Sequence, residues 1–431
     1  MIDATERDLG PAPTLDTALD PLPDPAVDAA LADSLARDAL HDLVVAKSPG
    51  LRAAAYRVRA LLRQARAEGA LPPPMVGLQI WNLPLTRPYA IDDADMIMLE
   101  YRQTLPPSGA LDARARARVE EAKAAVAELA DAARAARLAS DEAFADYRRA
   151  TQAQAVYTAQ LALLARMRRA AVVRVAHGGG IAEVARVDVE VARTRGDGAA
   201  LPAERDVAAA RLNALLARPA DGALGDAAAP ALPADVGALA GLLAEARQNR
   251  GDAVAAAARV RAEKARLRAA QAEADRPEIG IGAGWWQDPH ARPGLGLTFE
   301  MSLPWLSSGP RERARAQRDT VRAEEAMAAQ VALDLQRSVS EAWTTWQSLT
   351  RRRTVLEHDV QPAAQRSVKA LESAFVAGNA TLLEWLDASR ALLDVRAQAV
   401  DLEADQLRAL AQLEFAVGRP LTPPPHPETT P

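Results

Sequence analysis

The chain repeats itself. The stretch "ARAEGALPPPMVGLQIW" (65–81) is echoed by "AQAEADRPEIGIGAGWW" (270–286), "TLPPSGALDARARARVEEA" (104–122) by "SLPWLSSGPRERARAQRDTVRAEEA" (302–326), and "ARLNALLARP" (210–219) by "AQLEFAVGRP" (411–420). One such match means little where Ala and Arg are abundant. Three in the same order, at a common offset of about 200 residues, identify a duplicated unit, and the fold must then be two copies of one plan.

Each copy, 36–221 and 234–421, has the same grammar. A first helix covers about 35–70 and 234–275. Two short alternating stretches follow. Next comes a very long helical stretch, about 111–176 and 311–377, then a glycine break, then a returning helix over about 181–217 and 381–417. Outside the copies lie an acidic, Pro-rich arm (1–35), a linker (222–233) and a Pro-rich tail (422–431). Gly196, Gly198 and Pro202 interrupt the first returning helix and predict a kink or loop there.

The alternating stretches, about 75–84, 95–105, 278–287 and 294–304, read as strands. Val76, Leu78 and Ile80 share a face, as do Ile97, Leu99 and Tyr101, then Ile279, Ile281, Ala283 and Trp285, then Leu295, Leu297, Phe299 and Met301. The opposite faces carry Glu100 and Arg102, the glycines 280, 282 and 284, and Thr298 and Glu300. The length suits a tilted membrane-spanning strand, and the alternation suits a membrane β-barrel. A soluble sheet with one wet face has the same pattern. Trp81, Trp285, Trp286 and Trp305 fall at strand ends, where an aromatic girdle would sit. Four strands cannot close a barrel, and open edges are not tolerated in lipid, so a membrane reading requires several copies; three give twelve strands. Glu100 and Glu300 hold equivalent positions in the two copies, either lining a lumen or hydrating a strand–helix junction.

Composition excludes much else. Aromatics are only 4%, and Ala, Arg, Glu and Leu dominate, as in long helices. About 66 helical residues span roughly 100 Å. The net charge of −5 does not suggest a nucleic-acid partner. Without cysteine there is no disulfide, thiolate metal site or thiol catalysis, and no HExxH or P-loop pattern occurs. The chain therefore reads as a non-enzyme without a cofactor or a metal site. No run of 18 apolar residues predicts a transmembrane helix. Residues 1–35 lack the basic and apolar regions of a signal peptide, so either the protein is cytoplasmic or the sequence begins after a removed leader. Trp343 and Trp346, one helical turn apart, read as packing residues.

At these residues the chain resembles the TolC-type outer membrane factors, the exit ducts of Gram-negative tripartite efflux and type I secretion systems. The resemblance covers about 36–421. "ARLNALLARPADGAL" is similar to that family's end-of-repeat signature, and "MVGLQIWNLPL" with "EYRQTLPPSGALDAR" resembles the first hairpin of its heavy-metal-efflux branch. "GLTFEMSLPWLSSGPRERARAQ" resembles the second hairpin. The resemblance implies a mainly α fold with a small membrane β-barrel portion: a homotrimer whose twelve-stranded barrel lies in outer membrane lipid and continues as a long α-helical barrel through the periplasm. The implied partners are a periplasmic adaptor (membrane fusion) protein and, through it, an inner-membrane pump. The implied cargo is heavy-metal cations from a resistance-nodulation-division pump, with organic compounds or type I protein export as the alternative. It also favours a sequence starting after a removed leader. A soluble coiled-coil scaffold leaves the paired strands unexplained, and an adaptor has only one helical hairpin.

The resemblance also places a site. A "G-x-x-T-x-x-D-x-x-D" pattern begins the family's second returning helix at the periplasmic pore closure, and the match here is Gly378, Thr381, Glu384 and Asp387. Glu384 and Asp387 are one turn apart on one helix face, and symmetry would converge them into an acidic ring favouring cations and raising their pKa values. Acids that merely complement a helix N-terminus are the alternative. Thr381 is placed to cap that helix. In the first copy His177 stands opposite Gly378 and Glu183 opposite Glu384, with Gly178, Gly179 and Gly180 permitting a tight turn. The adaptor is expected to dock on these two turns, Asn379 included, and His177 reads as a surface residue rather than a metal ligand.

Overall fold

The computed structural model describes residues 31, 33–82, 86, 87, 89, 91, 94–176, 180–288 and 292–421. They divide into two compact units, one made of 53–129 and 251–333 and the other of the rest. Each unit draws on both copies of the repeat, so the units cut across the sequence repeat.

The described elements, in order, are β1 (Ser34–Leu35), α1 (Arg37–Lys47), α2 (Pro49–Glu68), β2 (Met75–Trp81), β3 (Met96–Leu105), α3 (Ala110–Ala176), α4 (Ala182–Gly198), α5 (Leu201–Leu215), β4 (Asp226–Ala227), α6 (Leu239–Asn249), α7 (Gly251–Asp275), β5 (Ile279–Gln287), β6 (Gly294–Met301), α8 (Gly309–Val355), α9 (Gln361–Val376) and α10 (Leu382–Val417). Each "first helix" of the repeat is thus two helices. The breaks come at Ser48 and Arg250, where the backbone turns extended (ψ 116° and 124°).

In the first unit β2, β3, β5 and β6 form one antiparallel sheet in that order, and the β3–β5 pairing joins copy one to copy two. The register puts Val76 opposite Tyr101 and Leu78 opposite Leu99, then Leu99 opposite Trp285 and Tyr101 opposite Ala283, then Ala283 opposite Leu297 and Ile281 opposite Phe299. One face is therefore apolar across all four strands. Nothing described covers it: Val76 is 70% exposed, Leu295 75% and Leu297 84%. Both edge strands, β2 and β6, have one side unpaired among the described residues.

The other face is polar and floored with glycine. Arg102 on β3 pairs with Glu100 at 2.8 Å and reaches over Gly282 of β5 to Glu300 of β6 at 3.4 Å. A Cβ on Gly282 would lie 3.1 Å from the Tyr101 carbonyl oxygen, so this crossing needs glycine. The same alternation corrects the girdle. Trp285 is on the apolar face, but Trp286 is opposite Gly294 on the polar face. A Cβ on Gly294 or Gly296 would meet its ring within 2.6 Å. Trp81, opposite Met96, is likewise on the polar-face register, its indole N–H donating to Gln79 at 3.2 Å. Adjacent tryptophans must point to opposite faces of a strand, which an end-of-strand argument overlooks. Trp305 lies beyond β6 in the short turn Pro304–Leu306. Where α3 and α7 meet, the contact is Ala124 and Ala127 against Ala255 and Ala258, small residues that allow close approach.

In the second unit, the described end of the N-terminal arm is tied down. Leu31 and Leu35 are buried with Leu40, Phe144, Tyr147 and Leu212, and β1 pairs in parallel with β4 in the linker. Arg37 is buried and bonds Asp141 at 2.8 Å and also Glu414. Burial alone would push the Asp141 carboxyl up, but His41 and Arg37 hold it below the usual range. The repeat-ending motifs share one geometry. Asn213 donates to the carbonyls of Ala220 and Gly222, and at the equivalent position Glu414 accepts from the Leu421 N–H, each fastening the segment that follows. Four residues on, Gly418 has φ +84° and its counterpart Ala217 has φ +53°. Both are left-handed helix-ending positions, held by glycine in one copy and by alanine in the other. Trp346 is buried, and Trp343 donates to the Gly237 carbonyl at 3.1 Å, as packing residues.

Two of the long helical stretches are interrupted, the second where Gly196, Gly198 and Pro202 predict it. The stretch 311–377 is not continuous: five residues in wider π geometry, Leu356–Val360, separate α8 and α9. Pro362 explains this, because its ring excludes the carbonyl four residues back and it offers no N–H. The first returning helix breaks at Ala199–Ala200, between Gly198 and Pro202.

Candidate functional site

The turn between α9 and α10 is closed by local chemistry. Gly378 has φ +79°. The Asn379 N–H bonds the Ala374 carbonyl at 2.8 Å and the Gly378 N–H bonds Phe375 at 3.1 Å, a Schellman termination. Three residues later Thr381 caps α10. Its hydroxyl accepts from the Glu384 N–H at 3.3 Å, while the Glu384 carboxylate accepts from the Thr381 N–H at 2.7 Å and hydroxyl at 2.8 Å. This is a reciprocal capping box.

Within one protomer the box sets the Glu384 pKa. The Glu384 carboxyl is exposed and lies below its usual range, because the Thr381 backbone N–H and then its hydroxyl bind the ionised form. Asp387 is also exposed, and it is paired: Arg390 reaches it at 3.1 Å and reaches Glu190 of α4 at 2.6 Å. Glu190 has only 5% of its side chain exposed, and Arg390 holds its carboxyl below the usual range against the opposing effect of burial. The four groups therefore form a short array, Glu384 followed by Asp387–Arg390–Glu190.

Behind the acids the helix is fastened. Leu382, Trp385 and Leu386 are buried against Leu164 and Met167 of α3, Val187 of α4 and Phe375 of α9. The Phe375 and Trp385 rings are 5.4 Å apart, and the Arg174 guanidinium lies 4.9 Å over Phe375 while donating to the Ala380 carbonyl at 3.3 Å. The buried face of α10 is thus fixed, and the alternate face holds Leu383, Glu384 and Asp387 exposed.

In the first copy, Gly180 accepts from the Glu183 N–H at 3.1 Å to start α4, without a side-chain cap. Glu183 is half-buried, and one of its carboxylate oxygens has no hydrogen-bond partner among the described residues. His177, Gly178 and Gly179 lie outside the described residues. Arg390 and Glu190 were missed in the sequence. The available signal was Glu190 itself, an acid in the stripe Val187–Glu190–Thr194 that α4 buries.

The described residues thus combine a sheet with an uncovered apolar face and unpaired edges with long helices that end in tight turns. Residues 242–419 match the outer membrane efflux protein family. No curated protein matches the chain in sequence. Among solved structures, the outer-membrane channel OprN is 18% identical, with 90% of this chain and 91% of that one covered at a TM-score of 0.74. CusC is 17% identical over 89% of this chain and 92% of that one, TM-score 0.75. VceC from Vibrio cholerae is 18% identical over 90% and 97%, TM-score 0.73. Residues 242–419 therefore carry the outer membrane efflux protein family's pattern, and the described residues share the fold of these outer membrane channels.

Proposed function

We propose that three copies of this chain close a twelve-stranded barrel in the outer membrane and conduct heavy-metal cations delivered by a resistance-nodulation-division pump through a periplasmic adaptor. The observation that carries the trimeric duct is the four-stranded sheet, whose apolar face is uncovered and whose edges β2 and β6 are free to pair only with other copies. The metal reading is supported by the first-hairpin wording at 75–85 and 100–114. The array at Glu384 and Asp387 forms the constriction. The turns at Gly180–Glu183 and Gly378–Thr381, with Ile181 and Val376 exposed at 79% and 76%, form the adaptor's docking surface. Glu100 and Glu300 line the lumen. The test is extraction followed by planar-bilayer recording. A detergent-requiring species of three times the chain mass that forms pores supports the reading, and a detergent-free monomer refutes it. Deletion of the gene should sensitise cells to metal cations; sensitisation to organic compounds alone would refute the metal assignment.

A further inference from the structure

We propose that the groove between α2, α3 and α7, just past the strand ends, binds the phosphate headgroup of an anionic phospholipid of the inner leaflet; this rests on the membrane reading of the sheet. The groove has a volume of about 750 Å³ and is lined by six cations but only two carboxylates, Asp112 and Glu120, over a floor of Ala115, Val119 and Ala265. Glu120 is already engaged by Lys123 at 2.9 Å and Arg261 at 2.6 Å. Arg116 and Arg268 have no ion pair or hydrogen bond among the described residues. A second cavity of about 460 Å³ shares Asp112, Arg116 and Arg268 and extends the groove to Ser108, Asp275 and Arg276, at the strand–helix junction itself.

Position identifies the ligand. A lipid whose chains lie on the apolar sheet face puts its headgroup just beyond the strand ends. Arg116 is six residues into α3 and Arg268 seven residues before the end of α7. At 1.5 Å per residue each lies about 10 Å along its helix from the end nearest the sheet, and Arg side chains extend toward an interface. The headgroup layer is roughly 5–8 Å thick on each side of the hydrocarbon. Two guanidiniums that make no ion pair among the described residues match a phosphodiester, which Arg recognises in bidentate fashion.

The experiment titrates the detergent-purified protein with phosphatidylglycerol or phosphatidylcholine and counts bound lipid by native mass spectrometry. The wild type should prefer phosphatidylglycerol by roughly thirtyfold. R116Q/R268Q should lose most of that preference, while R186Q/R195Q, which removes the same charge from α4 in the other unit, should keep it. Equal binding of both lipids by a wild type that forms pores, or an unchanged R116Q/R268Q, overturns the groove and leaves the duct intact. Competition by millimolar inorganic phosphate would show a soluble-anion site and overturn the lipid assignment. A wild type that neither needs detergent nor forms pores overturns the membrane reading and the groove with it.

Discussion

Arg390→Met separates the array behind the α9–α10 turn into its parts. The wild-type arginine neutralises Glu190, whose side chain is 5% exposed, and also holds Asp387 at 3.1 Å. Stripping the partner from a fully buried carboxylate costs roughly 3–5 kcal/mol. Arg390 itself is 41% exposed, so water screens the pair and the cost falls to about 2 kcal/mol. The loss is local, so the assay is hydrogen exchange at α4 and α10 backbone amides, where about 2 kcal/mol speeds opening roughly thirtyfold. The pH dependence has a defined sign. Arg390 depresses the Glu190 pKa, so its contribution is complete above the unfolded carboxyl pKa and is lost as pH falls through the lower, folded value. In the variant the buried carboxyl is raised instead, and protection at these amides should improve as pH falls. Glu190→Gln in the Arg390→Met background should restore most of the protection. Unchanged exchange in Arg390→Met, or a double variant as exposed as the single one, would refute the buried-pair reasoning.

Thr381→Ala removes the hydroxyl half of the capping box and leaves the backbone N–H on the Glu384 carboxylate, so α10 should lose about 1 kcal/mol, and the Glu384 pKa should move only part of the way back up, read by carboxyl NMR titration. Ala217→Gly should stabilise the protein by about 1 kcal/mol in denaturant melts, since alanine is held there at φ +53° where the second copy has glycine. Gly296→Ala must displace the Trp286 ring and should alter single-channel conductance, whereas an added methyl at Gly77, which meets nothing within 4 Å, should leave it unchanged. Replacing Glu384 and Asp387 together by Ala should lower cation selectivity in planar bilayers, read from reversal potentials in a salt gradient.

The duplication, the four strands and their apolar face were legible in the sequence because each rests on a local rule: a repeat offset or a period of two. Thr381 as a cap and Gly378 as the turn were legible for the same reason. What escaped depends on partners distant in the chain. Trp286 needed the register against Gly294 before its face mattered, and Asp387 looked like a free pore charge until Arg390 and Glu190, 200 residues away from each other, were brought together. The π turn before Pro362 was readable and was overlooked, because a strong helical pattern masked a single residue that cannot continue it.

The central claim is that alternate residues of the sheet face lipid. The chain has no cysteine, so single cysteines can be placed at each position from Leu295 to Glu300 and spin-labelled. In bilayers, labels at 295, 297 and 299 should be accessible to oxygen dissolved in lipid, and those at 296, 298 and 300 to a water-soluble nickel chelate, with a clean period of two. Equal access of the chelate to all six positions would contradict a membrane-spanning strand.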